Sequence, residues 1–303
     1  MRIPRDPNDP RDPRGSTLLV PSSELAAGDF VFLGLPFDTS IPTRPGAKFG
    51  PSALREALPS LTTFGRGIEL SGRICRDLGD LDLPPDSVRT SHERVESAAR
   101  EIFAKRAIPF FAGGDNGLTG AILRGLAAAR PDLRLGLVVI DSHYDVREYD
   151  SEDSLSSGTP YRRALETPIC SGSRTFILGT REFANSSYYD RWVREQGITA
   201  IPVDAFDARS AASIATDVRA SLEASSDALF LSIDIDAAEL PGSSAAAPGT
   251  LTSREMIAAV RAIAASPLLI GCDLMELSPP WDVGGFTAKL AARLFLEVFA
   301  ARV

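Results

Sequence analysis

The sequence predicts an α/β protein, with a single-domain, three-layer α/β/α architecture and a mainly parallel sheet. Short apolar runs of strand length alternate with amphipathic segments of helix length over nearly the whole chain. Two of the apolar runs end abruptly in spaced acidic residues, a pattern typical of sites outside the carboxyl ends of parallel strands. No internal repeat or linker follows the first 28 residues. Residues 29–303 are therefore interpreted as one domain.

The composition narrows the class of protein. Of 303 residues, 44% are hydrophobic and 24% are charged, as in ordinary soluble domains. No apolar stretch reaches the roughly 18 residues of a membrane span, and the net charge of −8 argues against a nucleic-acid partner. Three isolated cysteines and an N-terminus without an apolar segment favour a reduced, cytoplasmic protein. The sequence thus predicts a cytoplasmic protein without nucleic-acid or membrane partners.

The first third of the chain begins with an arm and continues with alternating elements. Residues 1–28 are rich in Pro, Asp and Arg and are expected to be poorly ordered. The predicted elements that follow are a strand at Asp29–Leu35, a helix at Pro51–Leu58, an edge strand at Ile74–Leu81 and a helix at Ser87–Lys105. Proline suits the first turn of the second of these elements. His92, flanked by Ser91 and Glu93, is interpreted as an exposed surface histidine.

The remainder continues the alternation. A strand at Ile108–Ala112 ends in Gly113-Gly114-Asp115-Asn116, where glycines permit conformations closed to other residues. Asp115 or Asn116 suits the N-cap of a helix at Leu118–Ala129. Further strands are predicted at Leu135–Ile140, Thr175–Leu178, Ala200–Val203, Ala228–Ile233 and Leu268–Cys272. Further helices are predicted at Tyr188–Gln196, Ala211–Ala224, Ser253–Ala265 and Gly285–Ala301, and Tyr144–Thr159 is predicted to be a polar loop.

Two acidic stretches predict a metal site. The run LGLVVIDSHYD places Asp141, His143 and Asp145 two residues apart, so on extended backbone they project from the same face. Carboxylates with an imidazole form a hard, anionic pocket that suits Mn²⁺ or a similar ion. A second run ends in the same way, in Asp234 and Asp236. The alternative, a loop of solvated acids, explains one such stretch more easily than two.

The order of these motifs resembles the ureohydrolase superfamily, which includes arginase, agmatinase and formimidoylglutamase. The sequence has GGDN, then DSHYD, then SIDID, then a late carboxylate at Glu276. RPGA leading to GPSALR, DLGD, and ELSPP are further landmarks, and the resemblance covers about residues 30–302. It implies an arginase-like fold and a metal-dependent hydrolase, with residues 29–303 as the catalytic domain.

By that resemblance the chain would hold two Mn²⁺ ions. Asp141 and Asp234 would bridge them, Asp145 would complete the first site, and His143 and Asp236 the second. Two cations about 3.5–4 Å apart activate a water for attack on an electron-poor amidine or guanidine carbon. Asp141, His143 and Glu276 are therefore the predicted catalytic residues, and Glu276 would accept hydrogen bonds from the cationic nitrogens of the substrate.

Two departures from the family pattern stand out. Asn116 occupies the place of a metal-binding histidine. Its neutral carbonyl oxygen is a weaker ligand for Mn²⁺, so Asn116 would bind directly, through water or not at all, and the first site would be weakened. Ser157 stands just before Gly158, where arginases and agmatinases carry a histidine.

The surroundings favour the formimidoylglutamase branch, which hydrolyses N-formimidoyl-L-glutamate to L-glutamate and formamide in histidine degradation. DSHYDVR, SSGTPYRR and PGSSA are similar to that branch. Arg147 could hold a substrate carboxylate bidentately, with Ser157, Gly158 and Thr159 beside the substrate. A salt bridge from Arg147 to Glu148 or Asp150 is the alternative. Weaker candidates for the same role are Arg162, Arg163 and Arg181, the first two favouring helix-surface charge.

Three functions stay open at the level of sequence. The first is hydrolysis of formimidoylglutamate or a close acidic amidine. The second is another ureohydrolase activity, on agmatine or a different guanidino compound, with release of urea. The third is a non-catalytic protein of this superfamily, for which Asn116 is the main support. Homo-oligomers are frequent in the superfamily, so one is possible here.

Overall fold

A nine-stranded sheet forms the centre of the computed structural model, which describes residues 9–149 and 155–302. The strands of the sheet lie in the order β1-β5-β2-β6-β11-β10-β7-β8-β9, and every registered pair within it is parallel. The strands, in chain order, are β1 (Leu19–Pro21), β2 (Phe30–Leu35), β3 (Phe64–Gly65), β4 (Ile68–Glu69), β5 (Cys75–Asp80), β6 (Ile108–Gly113), β7 (Leu135–Ile140), β8 (Thr175–Thr180), β9 (Thr199–Pro202), β10 (Ala228–Asp234) and β11 (Leu269–Met275). Strands β3 and β4 pair separately as an antiparallel hairpin.

Helices cover both faces of the sheet. They are α1 (Gly50–Ala57), α2 (Val88–Ala104), α3 (Leu118–Ala129), α4 (Pro160–Leu165), α5 (Ser187–Glu195), α6 (Ala205–Ala208), α7 (Ala211–Glu223), α8 (Ser253–Ala264) and α9 (Phe286–Ala300). Helices α1, α7, α8 and α9 contribute to one apolar cluster, and α2, α3, α4 and α5 to the other. Successive residues of β2 alternate between them, Phe30 and Phe32 in the first, Val31 and Leu33 in the second. The predicted three-layer α/β/α fold with a parallel sheet is confirmed.

Most predicted elements lie within a few residues of their predicted bounds, but the edge of the sheet differs. Strand β5 was predicted to be an edge strand, and this is wrong because β1 pairs outside it, with Leu19 opposite Cys75. Strand β1 belongs to the segment predicted as an arm, and residues 1–8 of that segment lie outside the described residues. Three residues of β-strand carry no readable periodicity, so pairing alone reveals the strand. The division between arm and domain at residues 28 and 29 stays a prediction.

His92 is buried rather than exposed, so its predicted surface position is wrong. Its side chain is 1% exposed and lies on the face of α2 that also buries Val95, Ala99 and Ile102. Of the two polar neighbours on which the surface interpretation rested, Glu93 is exposed, but Ser91 is buried on the same face as His92. Neither ring nitrogen of His92 has a hydrogen-bond partner among the described residues.

The glycine pair after β6 is required for space. A Cβ on Gly113 would overlap the sulfur of Met275, and one on Gly114 would overlap the carbonyl group of Phe37. Neither glycine has a positive φ, so the predicted reason, an unusual backbone conformation, is wrong. The close approach lets the ends of β2, β6 and β11 meet at the edge of the sheet where the acidic residues gather.

No helix in the described part of the chain is long and apolar enough to cross a lipid bilayer.

Candidate metal centre

The carboxyl ends of four adjacent strands bring the predicted metal residues together. Asp141 directly follows β7, Asp234 is the last residue of β10, and Asn116 and Glu276 follow β6 and β11. Parallel strands present their carboxyl ends at one edge, and this is where the loops of such sheets form sites. The predicted placement of Asn116, Asp141 and Asp234 at strand ends is confirmed.

Two overlapping groups of ligand atoms have the spacing of metal sites. Within each group, one ligand atom from every residue lies within 4.8 Å of the others. The groups are Asp141, His143 and Asp236, and Asp141, Asp145 and Asp234. Asp141 belongs to both groups, and Asp234 belongs to one. Nδ1 of His143 lies 3.0 Å from Oδ2 of Asp236 and 3.5 Å from Oδ1 of Asp141.

Local backbone hydrogen bonds hold these carboxylates in place. The amide of His143 donates to Oδ1 of Asp141 at 2.6 Å, and the amide of Asp236 donates to Oδ1 of Asp234 at 2.8 Å. The D-x-H and D-x-D spacings therefore have a second consequence, because each first aspartate is fixed by the amide two residues later. The backbone of Asp145 takes a left-handed conformation, with φ +46°. Such a conformation is costly for a residue with a side chain and clusters at functional sites.

The electrostatics of the cluster are those of excess negative charge. Burial, and then the charge of Asp236, raise the pKa of Asp141 to about 6. Burial and neighbouring carboxylates raise the pKa values of Asp145 and Asp234 well above the ordinary range. Burial lowers the pKa of His143, but Asp236 and Asp141 outweigh it and raise that pKa to about 12.

These residues fit divalent cations. Four buried or half-buried carboxylates face one imidazole, and burial, together with their mutual repulsion, raises the pKa values of three of them. A cation bound among them would replace that repulsion by attraction, as bound ions do where they are the largest local charges. Hard carboxylate oxygens with one imidazole suit Mn²⁺. The donor set therefore fits hard divalent cations, and Asp141 is common to the two groups.

Asn116 lies inside this cluster. Its Nδ2 donates to Oδ2 of Asp145 at 2.9 Å and lies 3.5 Å from Oδ2 of Asp141. Its Oδ1 lies 3.2 Å from the hydroxyl of Thr119 in the first turn of α3. The residue is therefore within reach of a cation at the Asp141, Asp145 and Asp234 group, and the orientation of its carboxamide decides which atom faces that cation.

Glu276 projects into the site on a strained backbone, with φ +65°. The amide of Asn116 donates to its Oε1 at 2.7 Å, and the hydroxyl of Ser244 donates to its Oε2. Its own amide donates to the carbonyl of Gly114 at 2.7 Å. The side chain is buried and does not face bulk water. Sequence reasoning missed Ser244, for which PGSSA was noted only as a branch similarity.

A cleft of about 310 Å³ opens beside the cluster. The predicted metal ligands that line it are His143, Asp145, Asp234 and Asp236, and Glu276 lies beside them in the lining. Arg147, Ser157 and Gly158 line it as well, and Arg147 is the one guanidinium in the lining formed by the described residues. The amide of Arg147 donates to the carbonyl of Gly158 at 2.9 Å. A Cβ on Gly158 would come within 3.0 Å of Cδ of Arg147, so the glycine gives the arginine stem its room.

The other residues of the predicted substrate set lie elsewhere. Thr159 is buried, and its hydroxyl donates to the carbonyl of Ser156 at 2.9 Å in the turn before α4, outside the cleft lining. Arg162 donates to the carbonyl of Val146 and pairs with Glu148. Glu148, one of the two alternative partners of Arg147, therefore pairs with Arg162 instead. Asp150, the other alternative partner, lies outside the described residues.

Arg163 and Arg181 do not line the cleft either. Arg163 pairs with Glu166 at 2.9 Å, one turn along α4. Arg181 follows β8, where its amide donates to the carbonyl of Ser142 at 3.0 Å and its side chain lines a separate cavity. Helix-surface charge, the favoured interpretation of Arg163, agrees with its contact.

A layer of buried polar residues lies behind the metal ligands, and sequence reasoning missed it. Asp273 in β11 accepts hydrogen bonds from Ser232 of β10 and Thr119 of α3, at 2.8 and 2.9 Å. Burial raises the pKa of Asp273 to about 7, and those two hydroxyls counteract the rise. The signal was available, since an aspartate interrupts the otherwise apolar run LLIGCDLM. A carboxylate in a buried strand requires partners.

Comparisons with known proteins agree with this geometry. A sequence model of the arginase family matches residues 28–300. The chain is similar to a formimidoylglutamase from Halobacterium salinarum, with 36% identity over 283 residues that cover 90% of this chain and 87% of that protein. It is also similar to the mitochondrial guanidino acid hydrolase of Homo sapiens, with 30% identity over 279 residues, 90% of this chain and 78% of that protein.

Solved structures give the same fold. A formimidoylglutamase from Bacillus subtilis superposes with a TM-score of 0.91 at 24% identity, covering 100% of this chain and 96% of that one. A formiminoglutamase from Trypanosoma cruzi, solved with Mn²⁺, superposes with a TM-score of 0.85 at 26% identity, covering 96% and 100% of the two chains.

Proposed function

The chain belongs to the arginase family, and on that premise we propose that it hydrolyses N-formimidoyl-L-glutamate to L-glutamate and formamide, with Mn²⁺ as its cofactor. The main support is the cleft, which is lined by Arg147 together with the acidic metal-site residues. The similarity to formimidoylglutamases supports the same substrate. The Mn²⁺ of the Trypanosoma cruzi structure supports the choice of metal.

The charges of the cleft match a substrate with unlike ends. Formimidoylglutamate carries a cationic amidine at one end and carboxylates at the other. Asp145, Asp234 and Glu276 supply negative charge near the reacting carbon, and Arg147 supplies positive charge in the same cleft. A guanidinium binds carboxylate with two parallel hydrogen bonds, which orient as well as attract. Agmatine has no carboxylate for Arg147 to bind, so the arginine favours an acidic substrate.

Most of the predicted site residues have a role in this reaction. The ions, when bound, supply an activated water. Asp141 and Asp234 would hold both ions, Asp145 the first, and His143 and Asp236 the second. Glu276 is held by Asn116 and Ser244, so its remaining lone pairs are available to the amidine nitrogens. Ser157 and Gly158 lie beside Arg147 and would contact the glutamate portion of the substrate.

Hydrolysis of a guanidino acid, with release of urea, is the second candidate. It is favoured by similarity to the human guanidino acid hydrolase and to a guanidinopropionase from Pseudomonas aeruginosa, at 30% and 31% identity. Such substrates also carry a carboxylate, so Arg147 does not separate the two candidates. The products do, because one reaction releases formamide and the other urea.

A non-catalytic protein of this family is the least supported of the three functions. A cluster of buried carboxylates with raised pKa values destabilises a fold unless a cation binds there. A scaffold without chemistry would gain by replacing them. Asn116, the main support for that function, itself donates a hydrogen bond to the predicted ligand Asp145.

The test is metal content together with product. Purified protein is analysed for bound metal, then incubated with Mn²⁺ and formimidoylglutamate or guanidino acids, and formamide and urea are measured separately. The proposal expects bound Mn²⁺ and formamide. Metal with urea alone moves the assignment to guanidino acids, whereas no metal and no product under any condition contradicts a hydrolase.

Substitution of Arg147 tests the substrate-binding assignment. Arg147→Ala should raise KM for formimidoylglutamate by roughly 10–100-fold, because a hydrogen bond to a charged group contributes about 1.5–3 kcal/mol, and should leave Mn²⁺ binding unchanged. Arg163→Ala is the matched control, since Arg163 pairs with Glu166 outside the cleft. An unchanged KM in Arg147→Ala would show that the carboxylate is bound elsewhere.

We further propose that the catalytic domain spans residues 29–303, that the protein works in histidine degradation in the cytoplasm, and that it forms a homo-oligomer. The three cysteines, Cys75, Cys170 and Cys272, are unpaired, which supports a reducing compartment. Trp281, Val283 and Phe286 are large, exposed apolar side chains, which supports an interface between subunits.

A further inference from the structure

Asp273 is a buried carboxylate that the proposed chemistry does not use. It lies in β11 behind the metal ligands, and its side chain is fully buried. Its Oδ1 accepts from the Ser232 hydroxyl at 2.8 Å and from the Ile233 amide at 3.3 Å, and its Oδ2 accepts from the Thr119 hydroxyl at 2.9 Å. Three donors therefore surround the Asp273 carboxylate. Among the hydrogen bonds of the described residues, none joins it directly to the side chain of a predicted metal ligand.

Thr119 connects Asp273 to Asn116. Its hydroxyl oxygen lies 2.9 Å from Asp273 and 3.2 Å from Oδ1 of Asn116. A threonine hydroxyl has one proton and two lone pairs. Hydrogen bonds to a charged acceptor are the stronger ones, so the proton goes to the Asp273 carboxylate. The hydroxyl then offers Asn116 only a lone pair. This lone pair can accept a hydrogen bond from the amide N–H but repels the amide oxygen.

The carboxamide of Asn116 has two orientations, which exchange its oxygen and nitrogen. In the first, Nδ2 donates to Asp145 and Oδ1 lies against Thr119. In the second, Nδ2 donates to Thr119 and Oδ1 lies against Asp141 and Asp145. Without a cation the second orientation sets an oxygen against carboxylates. With a cation between them, the oxygen becomes a ligand, and both ends of the amide are satisfied.

We propose that Asp273 and Thr119 are positioning residues that turn the Asn116 carboxamide, so that its oxygen binds the first of the two cations. The inference rests on the proposed function only in requiring that cations bind this cluster. This arrangement would allow an asparagine to serve as a metal ligand. The direction of the hydrogen bonds from Thr119 to Asp273 determines which atom of the Asn116 carboxamide faces the cation. Partners behind a ligand commonly contribute roughly 10–100-fold to metal affinity.

A longer branch of the network acts less strongly. Asp273 also takes the proton of Ser232, whose oxygen lies 3.2 Å from the Tyr161 hydroxyl. That hydroxyl is 3.5 Å from Nδ2 of Asn116, at the limit of a hydrogen bond. The contact through Thr119 is shorter, so it sets the orientation.

Two nearly isosteric substitutions test the chain of hydrogen bonds. Thr119→Val removes the hydroxyl and leaves nothing to accept the Asn116 N–H, which then returns to Asp145. Asp273→Asn reverses the polarity. Its new oxygen is claimed by Ser232 and Ile233, so its new NH₂ group donates to Thr119 and drives the Thr119 proton toward Asn116. Neither substitution alters a predicted ligand.

The readout is metal binding and not turnover. Chelator-treated protein is titrated with Mn²⁺ alone at pH 8.5, and free Mn²⁺ is followed by electron paramagnetic resonance. Wild-type protein should bind two ions. In Thr119→Val and Asp273→Asn, the affinity of one site should fall roughly 10-fold or more, while the other site stays within about twofold of wild type.

Two controls separate positioning from general damage. Thr175→Val removes another buried threonine hydroxyl, at the start of β8, where it donates to the carbonyl of Ser171; its Mn²⁺ titration should match wild type. Asn116→Asp replaces the carboxamide by two equivalent oxygens, which need no orientation. In that background the addition of Thr119→Val should no longer weaken either site.

The outcomes separate this inference from the proposed function. Wild-type protein that binds no Mn²⁺ overturns both. Wild-type protein that binds two ions, with Thr119→Val and Asp273→Asn equal to it, overturns the positioning role alone. An equal loss when Thr119→Val is added to wild type and to Asn116→Asp also overturns it, because the effect would not pass through the carboxamide. Should Asp273→Asn fail to fold, Thr119→Val and the Asn116→Asp pair decide the question.

Discussion

Two regions of this molecule with buried carboxylate differ in how the negative charge is balanced. Glu297 in α9 is 4% exposed and is bound by Arg261 at 2.8 Å and by Arg293 at 2.7 Å, with Arg66 at 3.6 Å. Burial raises its pKa, but those hydrogen bonds outweigh burial and hold the pKa below the ordinary value. At the metal centre, burial and neighbouring carboxylates instead raise the pKa values of Asp145 and Asp234.

The difference separates a buried carboxylate that stabilises the fold, Glu297, from buried carboxylates that need a bound cation. Glu297 brings its counter-charge from the same chain, so its contribution to stability is complete when the chain folds. The metal centre has more carboxylates than the single imidazole of His143 can neutralise. Its positive charge has to come from outside, as metal ions or as a cationic substrate. A buried carboxylate is therefore informative about function when its neighbours fail to compensate it.

Removal of one predicted bridging ligand should give the largest effect. Asp234→Ala should abolish Mn²⁺ binding and turnover, a loss beyond the roughly 10–100-fold typical of residues behind the ligands. Elemental analysis and formamide release measure it. Glu297→Gln is the matched control, because it removes a buried carboxylate and should retain both metal and turnover. Retained turnover in Asp234→Ala would contradict the proposed two-metal centre.

Metal should stabilise the folded protein through the same centre. Free Mn²⁺ at 100 times its dissociation constant contributes about 2.7 kcal/mol, so chelation should lower the thermal midpoint by several degrees. Protons compete with the cation for the carboxylates, and the gain should therefore be smaller at pH 5 than at pH 8. Thermal unfolding with and without chelator measures the difference. Asp234→Ala should show no gain, and an equal gain in that variant would place the stabilising ion elsewhere.

In metal-free protein, neutral replacements at the two sites should have different effects on the free energy of unfolding. Glu297→Gln should lower the free energy of unfolding by about 1–2 kcal/mol, a figure reduced because Arg261 and Arg293 are partly exposed. Asp234→Asn should leave it unchanged or raise it, since one repelling charge is lost. The lowered pKa of Glu297 stabilises above its unfolded value of about 4.5, and this stabilisation disappears as pH falls through the folded value. Chemical denaturation at pH 7 and pH 3.5 should therefore show a smaller Glu297→Gln effect at the lower pH.

His92 extends the comparison to a buried group with no charge to balance at neutral pH. Burial, and then Arg124, lower its pKa to about 3. Between that value and about 6.5 the unfolded chain binds a proton that the folded protein refuses, so stability falls as pH drops below about 6.5. At pH 5 the contribution is roughly 2 kcal/mol. His92→Leu should reduce this acid sensitivity in denaturation measured from pH 7 to pH 4.5, and an unchanged slope would show that other groups titrate there.

The sequence was sufficient for the fold and for much of the centre because both rest on local patterns. Strand runs such as Leu135–Ile140 are apolar throughout, which is the pattern of a parallel sheet covered on both faces. The spacing of Asp141, His143 and Asp145 is set within one short segment. Pairing between strands that are distant in sequence leaves no local pattern. For this reason β1 was assigned to an arm and β5 to the edge of the sheet. The burial of His92 was missed for the same reason, because Glu93, its exposed neighbour in sequence, does not share its surroundings in space.

Residue identity, order and spacing therefore established an α/β fold, an acidic centre at the strand ends and an arginine directly after it. Folding was needed to show that Arg147 lines the cleft while Arg162 and Arg163 do not. Folding also joined Thr119 to Asp273 across 154 positions and Ser244 to Glu276 across 32. The physical reason is that a hydrogen bond depends on distance and direction in space. A one-dimensional sequence encodes these directly only for residues that share a turn, a strand or a helix.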